Sequence, residues 1–138
     1  MNVIDVQNRS NYTISRGLIR RAVREVLLGE NISEIPTIVV VEDEEMINLH
    51  TQFSGLSDTT DVLAFADEDE EGYLGDVIVN AAQAEREAKS RGLSFENEFI
   101  RYAIHGTLHL CGYKDNNQTN QNQMRNLEDL YLKVANID

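Results

Sequence analysis

Thr37-Ile-Val-Val-Val41 is an unbroken run of β-branched and apolar residues. A strand with one wet face alternates apolar and polar side chains, so a run without alternation belongs to a strand covered on both faces. These five residues therefore put a layered sheet at the centre of the molecule. Outward from it, Asp61-Val-Leu-Ala-Phe65 and Tyr73-Leu-Gly-Asp-Val-Ile-Val79 read as two further strands, and Val3-Ile-Asp-Val6 alternates like a short edge strand. Helical patterns fill the spaces between them. Leu18, Ile19, Ala22, Val23, Val26 and Leu27 share one face over residues 15–28, and Gly29 is a stop signal. Pro36, the only proline, falls in the loop before the central strand; residues 42–52 read as a helix with Met46, Leu49 and Phe53 inward. Residues 54–60 are turn-like and 66–72 form an acidic loop whose five carboxylates lack calcium-loop spacing. Asn80 is an N-cap for a helix over 81–90, Gly92 ends it, Ser94 opens the next helix, and a last helix runs from Thr119 to Val134. The expectation is α+β: one domain over residues 1–138, with a small mixed four-stranded sheet packed with about five helices.

Composition narrows the function. The chain has 138 residues, 41% apolar and 26% charged, which is ordinary for a globular domain. It has no apolar run long enough to span a bilayer, so no membrane association is expected. Its start lacks a basic segment followed by an apolar one, so no signal peptide is expected. A single cysteine excludes an internal disulfide framework and a Cys-rich zinc finger, and fits a reducing cytoplasm. The net charge of −12 argues against non-specific nucleic-acid binding. An RNA-directed role needs a local basic patch.

The chemistry concentrates in His105-Gly-Thr-Leu-His109-Leu-Cys-Gly112-Tyr-Lys-Asp115. Histidines at i and i+4 project from one helical face and can share an ion. Gly112 stands where a helix commonly ends in a left-handed residue, and a chain turning back there brings Asp115 to the same point. Two imidazoles and one carboxylate leave a fourth zinc position for water, the arrangement of a catalytic site, and such an ion brings its water to a pKa of about 7. Bare HxxxH also occurs as the polar edge of a helix. Cys111, two residues past His109, points to another face of a continuing helix and reads as a small buried side chain rather than a ligand. His50 reads as a surface residue or as support for the site. The zinc-peptidase pattern H-E-x-x-H is broken, because Gly106 stands where the general base belongs.

This segment resembles the YbeY family of rRNA maturation factors, single-strand endoribonucleases with the motif H-G-x-L-H-L-x-G-Y-D-H. His105, Gly106, Leu108, His109, Leu110, Gly112 and Tyr113 match it. Thr60-Asp-Val-Leu-Ala-Phe65, Leu74-Gly-Asp-Val-Ile-Val79 and the closing Met124-Arg-Asn-Leu-Glu128 extend the resemblance over most of the chain. It implies a zinc-dependent, zincin-like fold with one zinc ion, and activity in 16S rRNA 3′-end maturation and ribosome quality control, with the small ribosomal subunit as partner and a monomer as the simplest state. The family's third metal histidine falls on Asp115 here, the acidic residue before it on Lys114, and an RNA-contacting arginine on Ser54. In place of that arginine the chain offers Arg16, Arg20 and Arg24 at i, i+4 and i+8, with Arg21 beside them, either as phosphate contacts or as a solvated helix face. Asp76, in the Gly75-Asp76 turn, is a candidate partner for a ligand histidine, the alternative being a plain strand-end residue. No general base is evident beyond the water on the metal. An RNA-binding assembly factor with a structural metal is the competing reading; a metallopeptidase is disfavoured by Gly106.

Overall fold

The computed structural model describes residues 3–55 and 59–137. Strands β1 (Asp5–Asn8), β2 (Ile35–Val41), β3 (Val62–Ala66) and β4 (Tyr73–Asn80) form one sheet in the order β1-β2-β4-β3. β1 pairs with β2 and β2 with β4 in parallel, while β3 runs antiparallel along the far edge. Helices α1 (Arg16–Gly29), α2 (Asp43–Ser54), α3 (Ala81–Arg91), α4 (Phe95–Leu110) and α5 (Gln118–Val134) complete a small α+β domain with a mixed sheet.

The double cover expected for residues 37–41 is present. Ile38 and Val40 pair in register with Val77 and Val79, and all four pack with Ile19, Val23, Phe99 and Ile104 of α1 and α4. Val39 and Val41 face the other way and join Ile78 and Met46 of α2 in a smaller cluster, with Leu49 at its margin. Phe53 does not turn inward. It is 59% exposed and lays its ring against Phe65 of edge strand β3, where one flank stays open to water.

Local sequence sets the boundaries. Ser15, Asn80, Ser94 and Asn117 each accept a backbone N–H in the first turn of the helix they open. Pro36 lies inside β2, not in the preceding loop. It sits at a register shift against β4 and before the pairing with β1 begins, so its missing N–H interrupts no regular ladder. β1 starts two residues later than its alternation suggests. Its outward carbonyls are not left bare: Arg20 Nε donates to Ile4 O at 2.8 Å and Arg16 Nε to Val6 O at 3.2 Å. These two arginines shield a sheet edge that would otherwise invite another strand. Asp76 follows the strand expected over residues 73–79 and not the expected Gly75-Asp76 turn. It lies within β4, paired with Thr37 and Phe65, and is not a turn residue.

Candidate metal centre

The residue types along α4 divide by face. Phe99, Ala103, Ile104, Gly106 and Leu108 are buried and look toward the sheet and the core. Gly106 is needed for this approach: a Cβ there would overlap Val77 and come within 2.9 Å of Val62 Cγ2. The peptidase base position thus faces β3 and β4, with no room for a glutamate. The other face carries Glu98, Arg101, Tyr102, His105 and His109, spaced at one helical turn.

The end of α4 folds back as its glycine predicts. Gly112 has φ of 104°, and the N–H groups of Gly112 and Tyr113 close onto His109 O and Leu108 O at 3.0 and 3.1 Å. The reversal returns Asp115 over the histidines. His105 Nε2 and His109 Nε2 lie 3.0 Å apart, and Asp115 Oδ2 is 3.2 Å from the first and 3.4 Å from the second. Donors about 2.0–2.1 Å from one tetrahedral ion sit about 3.3 Å from each other, so the spacing matches three corners of a zinc-sized tetrahedron.

Protonation supports the same reading. His109 Nδ1 lies 3.0 Å from Tyr113 O, a carbonyl that only accepts, so this nitrogen carries a proton and Nε2 is the one turned to the cluster. His105 Nδ1 meets Glu128 Oε2 at 2.6 Å, which likewise turns its Nε2 to the cluster. With both rings neutral, the two Nε2 lone pairs and the Asp115 carboxylate are three acceptors with no donor among them, an arrangement that a cation completes. His105, His109 and Asp115 are the group of three among the described residues able to hold a metal this way. Burial opposes a charged His105, but the hydrogen bond and charge of Glu128, with Asp61 and Asp115, outweigh it and raise its pKa.

Glu128 is the site residue that sequence reasoning missed. It lies 23 residues beyond His105 on α5 and is buried at 6% exposure. Its one sequence signal is a carboxylate inside the apolar stripe Met124, Tyr131, Leu132. Arg101, one turn before His105, anchors it: Nη1 donates to Glu128 Oε1 at 3.0 Å and Nη2 to Asp129 Oδ1 at 2.7 Å. The remaining candidates lie elsewhere. Asp76 accepts from Tyr73 OH, whose pKa is pushed up to about 12 by burial and by this bond, and it reaches neither histidine. Burial pushes the Cys111 thiol up to about 11, and Cys111 and His50 are outside the ligand group. Ser54 closes α2 with Oγ on His50 O. None of Arg16, Arg20 and Arg24 lines the cleft beside the histidines.

That cleft, about 520 Å³, is bounded by α3, α4, α5 and residues 59–61, with His105 and Asp115 in its wall. Asn80 fixes one side. Fully buried, it donates from Nδ2 to Thr59 Oγ1 at 2.9 Å, Thr60 O at 3.1 Å and Asp43 Oδ1 at 2.8 Å, while its Oδ1 caps α3. Arg86 grips Asp43 through two nitrogens at 2.7 and 2.8 Å and, chiefly through this bonding, holds its carboxyl well below the usual range.

A compact α+β domain with a histidine-rich candidate metal site in an open cleft is the class that fold and geometry define. The family model described as Endoribonuclease YbeY matches residues 3–136, so the chain belongs to that family. The chain is similar to Endoribonuclease YbeY of Pelotomaculum thermopropionicum, 36% identical over 88% of this chain and 86% of the relative. The Petrotoga mobilis protein of that name is 31% identical over 96% of this chain and 92% of the relative. A Thermotoga maritima protein solved in solution superposes with a TM-score of 0.70 at 26% identity, covering 96% of this chain and 88% of that one.

Proposed function

We propose that the chain is a zinc-dependent endoribonuclease specific for single-stranded RNA, acting in the cytoplasm as a monomer on the small ribosomal subunit in 16S rRNA 3′-end maturation and ribosome quality control. The observation that carries the metal-dependent part is the convergence of His105 Nε2, His109 Nε2 and Asp115 Oδ2, all within 3.4 Å of one another, with His105 and Asp115 in the cleft wall. The relatives bearing the name Endoribonuclease YbeY supply the substrate class. Ribosomal RNA as target follows from the family resemblance of the motif.

His105, His109 and Asp115 would hold the ion. A bound zinc supplies a Lewis acid beside the phosphodiester and an acidified water at neutral pH. The protein's own groups prepare that site. Glu128 and the Tyr113 carbonyl fix which nitrogen of each ring faces the ion. The Thr59–Asp61 wall, held by Asn80, gives the substrate strand a fixed border.

Elemental mass spectrometry on the untagged wild type and His109→Ala, paired with cleavage of single-stranded RNA with and without chelator, tests this. The expected result is about one zinc per wild-type chain, with both zinc and cleavage lost in the variant. A cooperatively folded wild type without stoichiometric metal, or cleavage indifferent to chelator, would overturn the proposal. Stoichiometric zinc without cleavage would favour an RNA-binding assembly factor whose metal is structural.

A further inference from the structure

The cleft is poor in free positive charge. It presents three arginines against five carboxylates, a surface that repels a polyanion. Two of the three guanidiniums are already committed. Arg101 is bound to Glu128 and Asp129 at 3.0 and 2.7 Å, and Arg91 lies 3.3 Å from Glu87 and 3.9 Å from Glu98. Arg125 is different: it is exposed, lines the cleft, and forms no ion pair or hydrogen bond among the described residues.

Its place on α5 gives that freedom a direction. Gln121, Arg125 and Glu128 fall at i, i+4 and i+7 and so share one helical face. Gln121 Nε2 donates to Asp115 O at 3.1 Å, and Glu128 Oε2 is 2.6 Å from His105 Nδ1. Both neighbours of Arg125 in this row therefore touch a candidate metal ligand, and Arg125 stands between them. From this we infer that Arg125 binds a phosphate of the single-stranded RNA substrate beside the metal centre. A guanidinium is suited to the task, since its planar fork donates two parallel hydrogen bonds to phosphate oxygens and keeps its charge at any working pH. The α1 arginines are not placed for it: none of Arg16, Arg20 and Arg24 lines this cleft, and Arg16 and Arg20 turn Nε to the carbonyls of Val6 and Ile4.

The inference rests on the RNA-cleaving reading, and the experiment separates the two. Binding of a labelled single-stranded RNA, shown by gel to stay intact over the measurement, is followed by fluorescence anisotropy across a salt series for wild type, Arg125→Ala, Arg125→Lys and Lys89→Ala. Lys89 is an exposed charge on α3 outside the cleft lining. Loss of one charged hydrogen-bonding contact predicts about tenfold weaker binding or more for Arg125→Ala. It also predicts a slope of log K against log salt shallower by about 0.7, the increment for one single-strand phosphate. Arg125→Lys recovers the slope and only part of the affinity, and Lys89→Ala matches wild type. Arg125→Ala binding within about twofold of wild type with an unchanged slope overturns the inference, as does an equal loss in Lys89→Ala. Wild type that binds RNA through Arg125 but cleaves none would defeat the nuclease reading and leave this one standing.

Discussion

The two faces of α4 are built from the same helix by different rules. Toward the sheet, Gly106, Ala103 and Ile104 are set by close packing, and their neighbours are the valines of β3 and β4. Toward the cleft, the Nδ1 atoms of His105 and His109 donate outside the helix, to Glu128 on α5 and to the Tyr113 carbonyl, and the returning Asp115 comes within 3.4 Å of both Nε2 atoms. The first face answers to volume and the second to charge and proton position. Changes on one should therefore move stability and leave metal binding alone, and changes on the other should do the reverse.

The strongest way to break the comparison is Gly106→Glu, which puts a peptidase-like base into the motif. The side chain would be driven into Val77 and Val62. Overpacking combined with an unpaired buried charge predicts a loss above about 4 kcal/mol, read by urea denaturation, and no peptidase activity. Gly106→Ala should cost about 1–3 kcal/mol while keeping stoichiometric metal. Loss of metal in a folded Gly106→Ala protein would mean that the faces are not separable.

Glu128→Ala tests the polar face. Removing a carboxylate that orients a ligand histidine typically weakens metal affinity by about 10–100-fold, which competition with a chelating dye would measure. Unchanged affinity would show that His105 is held by its helix alone.

The smallest effect concerns Asp43, which bonds Thr59 and Asn80 behind the cleft border. Asp43 has a pKa depressed mainly by its bonds to Arg86. A depressed carboxylate stabilises the fold above its unfolded value of about 3.9, and that contribution fades as pH falls from there toward the folded value. The difference in thermal midpoint between wild type and Asp43→Asn should be widest near neutrality and narrow below about pH 4. A constant difference across that range would remove the charge of Asp43 from the account.

The same contrast explains what could be read in advance. Packing leaves a periodic trace, so Thr37–Val41 and the inward face of α1 are legible locally, as are the helix openings at Asn80 and Ser94. The pairing of His105 and His109 is legible too, because i and i+4 are neighbours on any helix. Glu128 is not, since only tertiary packing carries α5 back to α4. Asp76 misleads for the same reason: a Gly-Asp pair suggests a turn, and parallel pairing with β2 keeps it inside a strand.

Asn80 carries a further consequence. One amide side chain closes the first turn of α3 and also secures residues 59 and 60 on the border of the cleft. The opening of that helix end and the loosening of that border are therefore a single event. In hydrogen-exchange terms, the Gln83 amide bonded to Asn80 Oδ1 and the Asn80 amide bonded to Asp61 O belong to one cooperative unit. The cleft cannot soften on that side without unzipping the start of α3.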